Sequence, residues 1–94
     1  MKVIRDFNLD SNKDEQDVEI PFGSEIIKIG AAIGITDSGP TDFIKIWCIC
    51  PVESTTIKRK FITIKTDQEF DSSLKFIGSV IIRNCLGYHI FEKL

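Results

Sequence analysis

A strict alternation of residue types over Ile27–Ile35 is the feature that most constrains the fold. Successive side chains of an extended strand point to opposite faces, so a period of two places alternate residues on one face of a sheet. One of the two faces is wholly apolar and holds Ile27, Ile29, Ala31, Ile33 and Ile35. The pattern predicts a long strand that buries this face, and Gly30 and Gly34 on the other face favour a bulge or bend.

The rest of the chain is a series of similar segments separated by turns. The predicted strands are Lys2–Leu9, Val18–Ile20, Glu25–Ile35, Phe43–Cys50, Thr55–Thr66, Leu74–Arg83 and Leu86–Phe91. The polar segment Asp10–Asp17 reads as a loop, and Pro21 must close the second strand or lie at a sheet edge, because proline has no N–H to donate. The last two strands are expected to form a hairpin about Asn84 and Cys85.

The fold class follows from these patterns. No segment has a sustained helical period, and at most one short helical turn is expected, in the acidic loop Asp67–Asp71. The chain has 94 residues, and a chain of this length forms a single core. The sequence therefore predicts a single all-β domain over residues 1–94, mainly antiparallel, built as a small sandwich or a partly open barrel.

Charge and hydropathy limit the possible partners. The 12 Lys and Arg against 14 Asp and Glu give a formal net charge of -2, which supplies no field to attract an extended nucleic acid. The apolar runs are far shorter than the roughly 20 residues of a membrane helix, so no membrane partner is expected. Charges interrupt Met1–Leu9, which is unlike a signal peptide, and we expect the protein in the cytoplasm.

The three cysteines are read as reduced thiols. Cys48 and Cys50 stand two apart on one predicted strand, a spacing that suits neither a mutual disulfide nor the usual C-x-x-C metal clip. Cys85 is the third, and His89 is the only histidine, so a zinc site has too few ligands. The sequence predicts no metal and no cofactor.

His89 could act as a general base, but the pattern favours a structural role for it. It shares a strand face with Gly87 and Phe91. A catalytic histidine needs a nucleophile and an orienting carboxylate, and the sequence locates neither partner. We therefore expect a hydrogen-bonded structural histidine and a protein that is not an enzyme.

The segment Phe43–Cys50 is apolar on both faces apart from Lys45. A strand of this kind lies in the centre of a sheet that is covered on both sides, or one of its faces meets another subunit. The second possibility favours a homo-oligomer.

A basic and aromatic set is the best candidate for ligand binding. Its members are Lys45, Trp47, Lys58, Arg59 and Lys60. If the two strands that carry them pair as a hairpin around Pro51–Ser54, cationic donors come close to an aromatic surface that suits a phosphate or a nucleobase. The alternative is an exposed strand whose lysines prevent edge pairing, which needs no ligand.

Several short segments occur in an order that resembles a known family. They are Lys2-Val3-Ile4-Arg5, Phe7, Leu9, Glu19-Ile20-Pro21-Phe22-Gly23-Ser24, Trp47, Phe76-Ile77-Gly78-Ser79 and His89-Ile90-Phe91-Glu92. The series is similar to that of a family of small uncharacterised β-rich proteins encoded by bacteriophages and prophages, in which K-V-I, L-P-x-G-A, L-W, Y-I-G-T and H-V-F-E elements recur. Two positions depart from it: Ile64-Lys65-Thr66 replaces a Gly-Thr-Gly, and Gly87 replaces a pair of glycines.

The resemblance implies a setting but no reaction. Many small phage proteins act on host defence, either by capping a host protein or by sequestering a nucleotide signal. By analogy, a phage origin implies such a role for this chain. We expect a noncatalytic, homo-oligomeric protein of the bacterial host cytoplasm that inhibits or sequesters a host defence component. The alternatives are a sponge that binds a small signalling nucleotide through the basic and aromatic set, and a structural or accessory phage protein.

Overall fold

The computed structural model describes residues 1–83 and 85–94 and contains seven strands there. The strands are β1 (Lys2–Asp10), β2 (Glu15–Pro21), β3 (Glu25–Thr36), β4 (Gly39–Pro51), β5 (Thr56–Lys65), β6 (Lys75–Ile82) and β7 (Leu86–Lys93). The described residues form no helix, and so none that could cross a membrane. The predicted hairpin of the last two strands forms, while Asn84 lies outside the described residues.

The strands form two antiparallel sheets that pack face to face. Sheet A has the order β1-β4-β3, and sheet B has the order β2-β5-β7-β6. The edge strands β1 and β2 contact each other on one side of the sandwich, and the edge strands β3 and β6 contact each other on the other side. The all-β antiparallel prediction is confirmed, in the form of a sandwich rather than a closed barrel.

The core lies between the sheets and is organised by β4. Its alternate residues Ile44, Ile46, Cys48 and Cys50 are fully buried. Buried side chains of the other strands meet them, namely Leu9, Ile20, Phe61, Val80, Ile82 and Ile90. β4 is the central strand of its sheet, as its two apolar faces predict.

The predicted burial of the isoleucine face of β3 is wrong for most of the strand. The bulge lies between Ile26 and Lys28 rather than at a glycine, and Ile26 and Ile29 are the residues that pack on the core. Ile33 and Ile35 are 75% and 90% exposed. Both residues pair with residues of β4 that precede Ile44. The buried row of β4 begins only at Ile44, so this end of β3 extends beyond the core.

The two glycines of β3 make room for aromatic rings on the outer face of sheet A. A Cβ at Gly30 would lie 3.4 Å from the Trp47 ring, and a Cβ at Gly34 would overlap the Phe43 ring. Small residues at these positions let the rings of β4 lie across the edge strand, which covers part of the outer apolar face of β4.

β2 begins at Glu15, inside the segment that was predicted to be a loop. Strand pairing uses backbone groups, and the polar residues of β2 find partners because it is an edge strand beside the lysines of β5. Gln16 turns inward and bonds the backbone of Asp10, donating to its carbonyl at 3.0 Å and accepting from its N–H at 2.9 Å. The strand ends at Pro21, as the missing N–H predicts.

Gly78 of β6 lies directly against Ile29 of β3, in the other sheet. A Cβ at this position would overlap Cγ2 of Ile29 on β3, so the glycine permits the contact between the two edge strands. Gly30 of β3 faces the outer side of sheet A, where a Cβ would make only an ordinary contact with the Trp47 ring at 3.4 Å.

We expect Gly78→Ala to lower the free energy of unfolding by about 1–3 kcal/mol, the usual cost of forcing an extra methyl group into a packed site. The matched variant Gly30→Ala should be neutral or slightly stabilising, because alanine restricts the unfolded chain more than glycine does. Urea denaturation measures both. Equal stabilities of the two variants would contradict the close approach at Gly78.

Candidate functional site

The predicted basic and aromatic set is divided among three surfaces. β4 belongs to sheet A and β5 to sheet B, so the hairpin around Pro51–Ser54 on which the site depended is not formed. Lys45 and Trp47 lie on the outer face of sheet A, opposite the buried row of β4, while Lys58 and Lys60 lie on the outer face of sheet B. Arg59 points between the sheets. The five residues do not form one site.

The members on the outer faces interact with their neighbours. The Lys45 ammonium is 3.7 Å from the Asp6 carboxylate, and the Lys60 ammonium is 3.4 Å from that of Glu15. Exposed pairs of this kind contribute roughly 0–1 kcal/mol. The Lys28 ammonium lies over the Trp47 ring, 5.4 Å from the ring centre. The prediction that β5 lysines lie beside a free edge is wrong too, because β5 is an interior strand between β2 and β7.

Arg59 forms the one buried ion pair among the described residues. Its Nε and Nη2 donate to the two carboxylate oxygens of Glu92 at 2.5 and 2.7 Å, and its Nη1 donates to the Ser24 carbonyl at 3.1 Å. The side chains of Arg59 and Glu92 are 17% and 5% exposed. The bond to Glu92 raises the pKa of Arg59 although burial opposes it. Three of its five N–H donors bind within the fold, which favours a structural role for Arg59.

Cys48 lies close to this ion pair on the inner face of sheet A. Burial raises the pKa of the Cys48 thiol to about 11, and the neighbouring Cys50 adds to the effect. The thiolate is the reactive form of cysteine, so at neutral pH Cys48 is an inert apolar residue. Cys48 and Cys50 are free and buried, and Cys85 is free and exposed, in agreement with their prediction as reduced thiols.

A cleft on the outer face of sheet B is the best candidate site. It lies where the segment 66–74, which joins β5 to β6, folds back across the sheet. Gln68 anchors the start of this segment, because its N–H donates to the Lys65 carbonyl and its side-chain oxygen accepts from the Lys65 N–H, both at 3.0 Å. Phe70 then lies against Phe91 with ring centres 4.7 Å apart. The cleft has a volume of about 310 Å³.

Three phenylalanine rings form the apolar wall of the cleft. Phe76 contacts Phe91 edge to face at 5.3 Å, and Phe70 contacts Phe91 from the segment 66–74. Phe91 is buried beneath the other two rings, which are each about half exposed. The arrangement leaves aromatic surface open to a bound group, and aromatic rings favour stacked or edge-to-face partners.

His89 forms the polar end of the same cleft. Its Nδ1 is 2.7 Å from the Ser79 hydroxyl, and its Nε2 is 3.0 Å from the Thr66 hydroxyl. A Cβ at Gly87 would lie 2.8 Å from that Thr66 oxygen, so a glycine is needed beside this bond. Neutral imidazole has one donor and one acceptor nitrogen, so one hydroxyl donates to the ring and the other accepts from it.

The family of the chain is identified by comparison with known proteins. A family model described as a domain of unknown function, DUF7352, matches residues 1–94. The chain belongs to the DUF7352 family. No curated protein and no solved structure matches it.

Pairing of β6 with β7 assembles most of the cleft of this DUF7352 chain. Ser79 stands opposite His89, and Phe76 stands opposite Phe91, on the outer face of the sheet. All four residues belong to two short sequence elements, Phe76–Ser79 and His89–Glu92. The sequence predicts that His89 shares a face with Phe91, and it gives no indication of the roles of Ser79, Thr66 and the phenylalanine wall.

We expect Arg59→Met in this DUF7352 chain to lower the free energy of unfolding by about 3–5 kcal/mol, because the substitution leaves the Glu92 carboxylate buried without its partner. Lys58→Met, at the exposed neighbouring position, should change it by less than about 0.5 kcal/mol. The double variant Arg59→Met/Glu92→Met should recover most of the loss. Chemical denaturation tests the set, and an Arg59→Met protein as stable as Lys58→Met would contradict a structural role.

Thiol reactivity gives a second test. We expect a thiol reagent at neutral pH to modify Cys85 rapidly and to reach Cys48 and Cys50 only after denaturation, because both are buried and the pKa of Cys48 is raised to about 11. The Cys85→Ser variant is the control and should show no rapid phase. Rapid modification of the folded Cys85→Ser protein would contradict the burial of the other two thiols.

Proposed function

We propose that this protein is a noncatalytic binding protein whose cleft takes a small planar ring with a polar edge, such as a nucleobase. The observation that carries the proposal is the meeting of three phenylalanine rings with His89 and its two hydroxyl partners in one open cleft. An apolar pocket with a few convergent polar groups is the usual form of a small-molecule site.

The size of the cleft favours a single ring system. Sites for drug-sized ligands have volumes of roughly 300–1,000 Å³, and this cleft lies at the lower end with about 310 Å³. Its wall is aromatic, and stacking of a base on an aromatic side chain contributes about 1–3 kcal/mol. A planar heterocycle uses both properties better than a flexible aliphatic chain does.

The polar end suits a ring edge that carries both donors and acceptors. Ser79 and Thr66 each have a hydroxyl that can donate or accept, and the tautomer of His89 decides which role each one takes toward the ring. The hydroxyl groups keep further hydrogen-bonding capacity for a ligand. Lys65 and Asp67 also line the cleft.

The distance between the Ser79 hydroxyl and His89 Nδ1 is that of a nucleophile and its base. The partner of the second ring nitrogen, Nε2, is evidence against catalysis. In hydrolytic triads this nitrogen bonds to a carboxylate that orients the histidine and stabilises its charged form. Here it bonds to the neutral Thr66 hydroxyl. A hydroxyl thus stands where a hydrolytic triad has a carboxylate, so we propose recognition rather than turnover.

We therefore propose that a nucleotide binds in the cleft and not at the basic and aromatic set. In a phage setting, a protein that binds a nucleobase-containing signal would lower its free concentration in the host and so block a defence response. Capture of a host protein and an accessory role in the phage particle stay predictions, and an aromatic side chain of a host protein would compete for the same cleft.

Isothermal titration calorimetry against a panel of nucleosides and of linear, cyclic and ADP-ribose-type nucleotides tests the proposal. We expect binding of at least one of them, and a loss of about tenfold or more in affinity for Phe76→Ala, because stacking on one ring is removed. Phe22→Ala is the matched control, since Phe22 is an equally exposed phenylalanine in the turn after β2. No heat with any member of the panel, or equal losses in the two variants, would remove the proposal.

The Ser79→Ala variant separates binding from catalysis. We expect the wild-type protein to leave the bound nucleotide chemically unchanged in chromatography, and we expect Ser79→Ala to retain measurable binding. Consumption of the nucleotide by the wild type but not by Ser79→Ala would show an enzyme instead.

A further inference from the structure

The sandwich has two edge strands on each side, and the side formed by β1 and β2 is protected by charge. β1 carries Lys2, Arg5, Asp6 and Asp10, and β2 carries Glu15, Asp17 and Glu19. Charged side chains along an edge discourage pairing with another chain, because pairing would bring them close to the neighbouring strand.

The other side has no such protection. From Ile29 to Thr36, β3 contains no charged residue, and neither does β6 from Phe76 to Ile82. β3 pairs with β4 on one side, and no described strand pairs with its other side. Ile33 and Ile35 are largely exposed. A long uncharged edge with exposed isoleucines is the kind of edge that accepts another strand.

We infer that β3 is a dimerisation edge, which pairs antiparallel with β3 of a second copy of this chain. The inference is independent of the cleft and goes beyond the proposed function. A two-fold axis normal to sheet A relates the copies and joins two three-stranded sheets into one of six strands. A closed symmetric pair is the commonest form of oligomer, and it leaves no free β3 edge for further growth.

The bulge sets the register of this pair. It interrupts the regular strand before Lys28, and the strand ends at Thr36, so the uninterrupted stretch is centred on Ala32. A two-fold axis at Ala32 pairs this whole stretch with itself. Ile33 then stands opposite Ala31 of the second copy, and residues opposite each other in an antiparallel pair lie on the same face.

Side chains at both ends of this stretch are complementary. Ile35 stands opposite Ile29 of the second copy, so the exposed isoleucines gain apolar neighbours. Lys28 stands opposite Thr36 of the second copy, next to its Asp37. The symmetry repeats this contact of opposite charges at the other end, and charge complementarity of this kind fixes register more than it raises affinity.

The homo-oligomer predicted from the sequence was assigned to the outer face of β4. The β3 edge is the better surface, because Gly30 and Gly34 let the Trp47 and Phe43 rings of β4 pack across the sheet, which covers part of that face. The edge also offers unpaired backbone groups, and main-chain hydrogen bonds contribute to affinity when a strand is added to a sheet.

Sedimentation velocity over a range of protein concentrations tests the inference. We expect a monomer–dimer equilibrium for the wild type and at least a tenfold larger dissociation constant for Ile35→Lys, which places a charged side chain opposite the apolar Ile29 of the second copy at both ends of the pair. Ile4→Lys is the matched control, because Ile4 is an exposed isoleucine on the β1 edge, and its dissociation constant should equal that of the wild type. Circular dichroism and thermal melting verify that both variants are folded. A wild type that is monomeric at its solubility limit, or an Ile4→Lys effect as large as that of Ile35→Lys, would overturn the inference.

Disulfide trapping tests the register. In the Cys85→Ser background, which leaves only the buried thiols, Ala32→Cys should form a crosslinked dimer on mild oxidation because the axis brings the two copies of this residue together. Ile4→Cys in the same background should remain monomeric. Equal crosslinking of the two variants, or none for Ala32→Cys, would overturn the register centred on Ala32.

Discussion

The burial of one row of β4 side chains between the two sheets is the interaction on which the rest of the structure depends. Ile44, Ile46, Cys48 and Cys50 are fully buried, and each large apolar side chain contributes about 1.5–3 kcal/mol when it leaves water. This row holds sheet A in one orientation, since a slip of one residue would turn its apolar set to the solvent. The Arg59–Glu92 pair is a charged exception in this apolar interior, and it is tolerated because both groups are hydrogen-bonded.

The same alternation positions the cleft on the opposite face of sheet B. With Ile90 and Phe61 pointing inward, the neighbouring residues His89 and Phe91 must point outward. Pairing with β6 then sets Ser79 beside His89 and Phe76 beside Phe91, and the segment 66–74 adds Thr66 and Phe70 from above. The core thus fixes where the ring wall and the imidazole lie.

Local periodicity predicts where most of the strands lie, and it does not predict how the strands are distributed between sheets. The turn at Pro51–Ser54 looks like a hairpin turn, but it carries the chain from sheet A to sheet B, and this choice depends on long-range packing. The bulge near Ile27 also depends on long-range packing, and so does the extension of β3 beyond the core that exposes Ile33. The Ser79–His89 contact was not predicted, because the expected turn at Asn84 and Cys85 sets Ser79 opposite Ile90, whereas the observed pairing of Ile82 with Leu86 sets it opposite His89. Phe70 was not predicted either, since the fold of an irregular segment has no period to reveal it.

The proposed dimer and the proposed binding site use different residues, and their geometry connects them. A two-fold axis normal to sheet A leaves both copies of sheet B on the same side, so the two clefts open on one face of the dimer. A ligand with two rings, or a surface that carries several, would then gain from simultaneous binding, because the second ring meets its cleft at a high effective concentration. A ligand with a single ring would gain nothing from pairing through β3. Comparison of one-ring and two-ring ligands in the wild type and in a β3-edge variant therefore shows whether dimerisation serves recognition or only protects an exposed edge.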